Sequence, residues 1–434
     1  MVSQIDRRTA RGGGIGDQRG VALIMVVSVV AILTAVTVQF TYQERVNLHL
    51  AANARDELRA YYLARSSVNL SRLLLSFQKR IDSTPIPGLQ QLTSLLGGGA
   101  PPAAGAGAPA GGASTGALGI RLWELIPIDC GLVQMFVQMN AAAPEGPNEE
   151  SPEEAQLADF GTFEGACHAE ITDEDSKINL NHLDGLERSV KNVLIQLIGL
   201  MQDPRYDFLF EKEDRWGIRM TRPELIVAIR DYIDENQVQE TLILGPDGPE
   251  LLPGAGDEGY YYTRFEPQYS PKNAPFDSLD ELYMVAGIGD DFMAAFGDRL
   301  TVYTGKNAKL NVTPQNMVDL CLRIVIASEN PAQGVQYCQD PVLMNNLWEQ
   351  IQLQRAMLPW IGMTPESFRA LLEANGIPVN RFIWSGPGAI FGNSSNTFRI
   401  EASGRAGDVE KTIVAVVRMD GADPLGTLLY WKEK

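Results

Sequence analysis

VALIMVVSVVAILTAVTVQF, residues 21–40, decides how the rest of this chain is read. The run carries no charge, and as an α-helix it would be about 30 Å long, enough to cross a bilayer. Upstream, residues 1–20 are polar and glycine-rich, with Arg7, Arg8, Arg11 and Arg19 set against Asp6 and Asp17. Arginine before the run and mixed charge after it put the start in the cytoplasm and the body outside the inner membrane. Downstream, the chain passes without glycine or proline into TYQERVNLHLAANARDELRAYYLARSSVNLSRLL. There Val46, Leu50, Ala54, Leu58, Tyr61 and Val68 form an apolar or small stripe at helical spacing. One helix is therefore predicted from the membrane to about Ile81. A cleaved secretory signal would need a small-residue site after the apolar run. A twin-arginine signal at Arg7-Arg8 lies too far upstream of it. An uncut signal anchor is the plain alternative.

The chain has 434 residues, 45% of them hydrophobic, enough for one large core or two modest ones. With 21% charged and 8% aromatic residues it has the composition of a folded protein, which excludes wholesale disorder. A net charge of −18 argues against a duplex-binding surface, which needs clustered cations. Clustered carboxylates do suit hard cations such as calcium. None of Cys130, Cys167, Cys321 and Cys338 forms a Cys-x-x-Cys pair, which argues against a zinc ribbon or thioredoxin-type site. In an exported body they suit two disulfides. Of the three possible pairings we take the two local in sequence, Cys321 with Cys338 and Cys130 with Cys167, against the alternative of four buried thiols.

Along the body, residues 97–117 (GGGAPPAAGAGAPAGGASTGA) are a low-complexity linker and residues 141–158 a second, acidic one. Within residues 163–181, Ala166, His168, Glu170 and Thr172 alternate with Cys167, Ala169 and Ile171 as in a half-buried strand. Residues 183–299 read as an all-helical block, with helices at Leu186 to Met201 and Arg222 to Ile233. Two short helices, broken at Gly287, span Leu279 to Phe296. The phrase Lys309-Leu310-Asn311-Val312-Thr313 echoes Lys177-Ile178-Asn179-Leu180-Asn181, as if the helical block were inserted between related strand ends. Helices follow around Pro314–Ser328 and Pro341–Ile361. The chain closes on an antiparallel meander, with Phe398, Ile400 and Ala402, then Ile413, Ala415 and Val417, then Leu428 and Tyr430 alternating between glycine-marked turns.

Arg19-Gly20 standing immediately before an uncut apolar helix resembles the class III leader of type IV pilins and pseudopilins. The resemblance implies cleavage by a prepilin peptidase after Gly20 and methylation of the new N-terminus, Val21. Most members carry glutamate at the fifth mature position, where this chain has Met25. That carboxylate is thought to pair with the amine of a neighbouring subunit, and one left unpaired in hydrocarbon would cost several kcal/mol. Its lack marks the type II secretion minor pseudopilin K family, which sits at the filament tip. Phrases similar to that family follow in order: DEDSKINLN, Asp231-Tyr232-Ile233-Asp234-Glu235-Asn236, GDEGYYY, KNAPFDSLDELYMVAGIG, LTVYTGKNAKLNVTPQN and NTFRIEASG…IVAVVRMDG. The stretches at 97–117 and 141–158 depart from the pattern.

The resemblance implies an α+β, pilin-like fold with a long N-terminal membrane helix and an antiparallel sheet, carrying a large inserted all-helical domain. The expected division is a leader at 1–20, a transmembrane segment at 21–40, a periplasmic helix at 41–82, a linker at 97–117, a pilin-like domain from 118–181 and 300–434, and the insert at 182–299. The implied partners are the minor pseudopilins I and J in a tip complex, the major pseudopilin, the inner-membrane assembly platform, the prepilin peptidase and the outer-membrane secretin. The chain would be single-pass in the inner membrane with its body in the periplasm, and would start or cap a filament that exports folded proteins. The alternatives are a minor pilin of a type IV pilus or DNA-uptake system, and a bitopic periplasmic metal-binding protein.

Candidate chemistry is sparse. Asp231, Asp234 and Asn236 end a helix, Asp257 and Glu258 lie in a glycine-rich turn, and Asn273 follows. The resemblance implies calcium in this neighbourhood, against an acidic solvated loop as the bland reading; no EF-hand spacing is present. Leu282 to Gly289 resembles a helix-hairpin-helix turn, but Asp290 and Asp291 follow at once and would repel a phosphate, so nucleic acid is not expected. The three histidines, His49, His168 and His182, form no catalytic motif and no P-loop is present, so no enzyme is expected. Tyr260, Tyr261, Tyr262, Phe265 and Tyr269 are read as packing or as a partner surface.

Overall fold

The computed structural model describes residues 18–83, 121–131, 165–213, 217–245, 248–306, 308–357, 362–384 and 389–434. The leader before residue 18, the linker at 97–117 and the acidic stretch at 141–158 lie outside the described residues. The chain opens on α1 (Gln18–Ser83), one unbroken helix of 66 residues. Gly20 and Val21 lie in its first turn. From Val21 to Phe40 its apolar side chains are exposed on every side, the pattern of a helix solvated by lipid. Among the described residues this is the helix long and apolar enough to cross a membrane. The hydroxyls of Thr34 and Thr37 donate to carbonyls four residues back at 2.7 Å, so neither is left unpaired in that segment.

From Ala60 onward α1 has a covered face: Ala60, Ala64, Ser67, Val68, Ser71, Leu75 and Gln78 are buried. Of the stripe expected from spacing, Val68 is buried and Tyr61 partly so, whereas Val46, Leu50, Ala54 and Leu58 stand exposed. The physical reason is reach: the sheet lies under the last turns of the helix, so the upper stripe has nothing to pack on.

Beyond α1 a short turn, α2 (Leu122–Leu125), leads to β1 (Ile128–Asp129) and β2 (Ala166–Asp173). β2 buries Cys167 and Ala169 in alternation, and Cys167 is bonded to Cys130 beside β1. A first lobe follows: β3 (Ile178–Asn179), α3 (Glu187–Met201), α4 (Asp207–Glu211), α5 (Arg222–Ile233), β4 (Val238–Gly245), β5 (Gly248–Asp257), α6 (Asp290–Phe296) and β6 (Leu300–Thr301). β6 returns to pair in parallel with β3 and closes the lobe. Its core is built on Leu183, Leu194, Leu197, Ile226, Ile229 and Phe296.

The lobe is not all-helical, as the sequence reading had it, because β4 and β5 form an antiparallel hairpin. Leu242 and Leu251 pack on the core while most of the hairpin faces solvent. That sparse period-two pattern is easily lost beside strong helical periodicity. α5 begins as its residues dictate. Thr221 caps it in a reciprocal box with Glu224, whose Oε2 accepts from the Thr221 amide at 2.8 Å. We expect Thr221→Ala to cost about 1 kcal/mol, read as a small fall in denaturation midpoint with unchanged slope.

A second lobe comprises β7 (Leu310–Asn311), α7 (Met317–Ala327), α8 (Pro331–Gln339), α9 (Pro341–Met357), α10 (Pro365–Ala374) and β8 (Phe391–Gly392), with β7 and β8 parallel. It has its own core around Leu320, Ile324, Leu347, Ile351, Phe368 and Phe391. The Cys321–Cys338 disulfide pins α8 to α7. The chain ends in β9 (Thr397–Ala406), β10 (Val409–Arg418) and β11 (Thr427–Glu433). The main sheet is thus antiparallel, in the order β1-β2-β9-β10-β11. Phe398, Ile400, Ala402, Ile413, Ala415 and Val417 face α1, and Val416 and Tyr430 face the first lobe. A bulge opposite Val416 and Val417 sets Leu428 and Tyr430 on opposite faces, which strict alternation would not do. Helix on one side, sheet between, and the first lobe beyond make an α+β architecture.

The two echoing phrases occupy equivalent places. Each supplies a two-residue parallel strand at the entry to a lobe. Asn179 Oδ1 accepts from the Asn181 amide at 2.9 Å, and Asn311 Oδ1 from the Thr313 amide at 3.0 Å, the same Asx turn twice. Where both lobes join the sheet, buried carboxylates bind them together. Asp173 Oδ2 accepts from Ser395 Oγ at 2.6 Å and Asn311 Nδ2 at 2.7 Å. Asp175 Oδ2 accepts from the Asn396 amide at 2.6 Å. Burial, and next the Asp173 charge, push Asp175 up to about 7. Glu174 is buried as deeply, yet Lys177 and Arg399, at 2.8 and 2.7 Å, hold it below the usual carboxylate range.

Candidate metal centre

The last turn of α5 puts Asp231 and Asp234 one turn apart on a buried face. Asp234 is also the residue at which the helix ends, turning into extended backbone. The chain then reverses through Asn236, whose Oδ1 accepts from the Val238 amide at 2.7 Å and whose Nδ2 donates to Asp234 Oδ2 at 2.7 Å. β4, which packs back on α5, holds Glu240 over the helix end. Its amide donates to Asp231 Oδ1 at 3.4 Å. Carboxylate oxygens of Asp231, Asp234 and Glu240 lie within 4.8 Å of one another. Glu258, the first residue of the 3₁₀ turn after β5, is buried against the same group.

The charges are poorly balanced. Arg230 Nε lies 3.2 Å from Glu240 Oε2 and 3.6 Å from Asp234 Oδ2, and the same side chain reaches Asp184 at 3.9 Å. Burial, then the Glu258 charge, push Asp231 up to about 8. Burial raises Asp234 to about 6 against the pull of Arg230. Burial, then Asp234, raise Glu258 to about 7. Asp234 Oδ1 and both Glu258 carboxylate oxygens are buried with no hydrogen-bond partner. Such oxygens are costly to leave unpaired. Oxygens from two elements and a loop are also the donor set a hard cation accepts, so the residues present fit calcium.

The structure brings together Asp231, Asp234 and Glu258 of the residues expected from sequence. Asn236 is spent on its turn, as is Asp257, whose Oδ1 accepts from the Gly259 amide at 2.8 Å. Asn273, at φ +48°, ties the loop down, with its amide donating to Tyr232 O at 2.9 Å and Nδ2 to Asn236 O at 2.6 Å. Glu240 was missed: it stands nine residues from Asp231 with no recognisable spacing, and only the return of the chain along α5 as β4 brings it to the cluster.

The other chemistry-bearing residues are dispersed. His168 points away from its neighbour Cys167, which is in a disulfide. His182 Nε2 sits 3.1 Å from Gly305 O, and burial lowers its pKa. His49 is exposed on α1. Of the aromatic run, Tyr262 and Phe265 are core and Tyr261 and Tyr269 are half-buried, which leaves Tyr260 exposed.

No protein-family profile matches the chain, and no curated protein does. Among solved structures it is similar to a chain of the GspK–GspI–GspJ complex from the type 2 secretion system of enterotoxigenic Escherichia coli. The identity is 14% and the TM-score 0.40, over 67% of this chain and 84% of that one.

Proposed function

We propose that this chain is a minor pseudopilin of a type II secretion system, acting at the tip of a short filament. The observation that carries the reading is the division of α1. Its first part is apolar and uncovered on all sides, and its last part is clamped to a sheet. A membrane anchor alone needs no rigid coupling to a folded body. A subunit that must move from lipid into a helical filament core does, because the same greasy surface is solvated first by acyl chains and then by neighbouring helices. The first lobe beyond the sheet adds bulk opposite α1, as suits a subunit with nothing above it, and Met25 leaves no buried carboxylate in need of a neighbour's amine. We place the chain in the inner membrane with its body in the periplasm. Its proposed partners are the minor pseudopilins I and J and, through them, the major pseudopilin, the assembly platform and the secretin.

The test is intact-mass analysis of the chain produced with and without a prepilin peptidase. The expected mature product begins at Val21 and carries one methyl group, and Gly20→Ala should block its formation. A chain that keeps residues 1–20 in the peptidase's presence, or that fails to co-purify with two smaller pilin-like subunits, would sink the reading. Within this role we propose calcium as a structural ion held by Asp231, Asp234, Glu240 and Glu258. It would supply positive charge to a cluster that Arg230 alone leaves under-neutralised, joining the end of α5 to the β4–β5 hairpin.

A further inference from the structure

On the first lobe, beside the Gly287–Gly289 turn and away from the acidic cluster, lies a groove of about 610 Å³. That is a size typical of ligand sites. Its floor is apolar and packed: Phe210, Met220, Phe265, Val285 and Phe292 are buried core residues that also line it. Its lips carry large apolar side chains left in the open, with Phe208 56%, Tyr283 46% and Met284 42% exposed. Exposed aromatics around an apolar trough mark a binding surface rather than ordinary scatter. Its rim is acidic. Glu213, Glu266, Asp290 and Asp291 border it, and Lys212 is the cation among its described lining residues.

The charge pattern selects the occupant. Such a rim repels nucleic-acid phosphates and anionic lipid headgroups, and it attracts cations. The groove already shows how one would sit, because Lys212 Nζ lies 3.6 Å from Asp291 Oδ2 with both side chains largely exposed. A solvent-exposed pair of that kind is weakly held and exchangeable. A partner's lysine or arginine can take that place while its apolar side chain enters the trough. We propose that this groove binds an extended protein segment in which basic residues alternate with large apolar ones, supplied by a protein that meets the lobe.

The test uses the full chain in nanodiscs of zwitterionic lipid and a fluorescent decapeptide alternating arginine with leucine and phenylalanine, read by anisotropy. Saturable binding is expected, weakened at least tenfold by Asp290→Asn with Asp291→Asn, and weakened likewise by Phe208→Ser. Glu349→Gln with Glu366→Gln, an exposed acidic pair on the second lobe, should leave it unchanged. A peptide with serine in place of leucine and phenylalanine should bind at least tenfold more weakly. Absence of saturable binding overturns the proposal. So does equal loss in the second-lobe variant or equal binding of the serine peptide, because either result reduces the interaction to bulk charge. Circular dichroism of each variant checks that the lobe stays folded, and Tyr283→Ser replaces Phe208→Ser should that variant misfold.

Discussion

Replacing Gly404 with alanine is expected to destabilise the helix–sheet core by about 3 kcal/mol. Gly404 is buried in β9 where α1 crosses it. A β-carbon there would lie 2.2 Å from Ala60 O, 2.5 Å from Ala64 N and 2.9 Å from Leu63 Cβ. The first two are helix backbone, so no rotamer change relieves the collision and α1 would have to lift. Lifting it strains the anchors further along, where Arg72 donates to Leu425 O at 3.0 Å and to Gly426 O at 2.9 Å. It also exposes Val68 and Leu75. Gly289→Ala is the matched control, since nothing lies within 4 Å of its β-carbon position. Denaturant unfolding of the full chain in micelles, followed by near-ultraviolet circular dichroism, measures the difference. If the two variants unfold alike, α1 does not rest on the sheet as described.

In chelator, the protein is expected to lose stability as pH rises from about 4 to about 8, and calcium should reverse the loss. The sign follows from linkage. Asp231, Asp234 and Glu258, at about 8, 6 and 7 in the fold, all lie above their ordinary values of 3.8, 3.8 and 4.5. The folded state therefore holds more protons than the unfolded chain across that window, so each rise in pH costs stability. Asp175 at the lobe junction adds a contribution of the same sign. Calcium needs the ionised carboxylates, so it should bind more tightly as pH rises and release protons as it does. At a hundredfold excess over its dissociation constant it would add about 2.7 kcal/mol. Asp231→Asn separates the effects: at pH 8 in chelator it should melt higher than the parent, and calcium should no longer raise its melting temperature. Calorimetric titration in buffers of different ionisation enthalpy reads the protons released. A parent whose melting temperature ignores both chelator and calcium would remove the ion from the proposal.

Patterns with a short period were legible in the sequence. α1 runs unbroken to Ser83 because nothing in residues 21–81 stops a helix, and β2 and β9 bury alternate residues as their spacing requires. Asp231 and Asp234 could be placed together because three residues are nearly one helical turn. The covered face of α1 could not be foreseen. It is made of alanine and serine as much as of leucine and valine, because the helix approaches a glycine on the sheet too closely for larger side chains. A search for apolar periodicity weights such residues least.

Local chemistry, then, was enough to specify a membrane-length rod, its continuation into the body, the strands of the closing meander and the start of α5. Each is settled by neighbours within a turn or a pleat. Contacts between distant residues needed the folded chain. Asp173 meets Asn311 and Ser395 across 138 and 222 positions. In sequence a second helical core stands between the first lobe's return strand and the closing meander, and Glu240 joins the acidic cluster because β4 folds back over the end of α5. Such partners carry no fixed spacing, because they are chosen by the packing of whole elements and by the need to pair every polar group those elements bury.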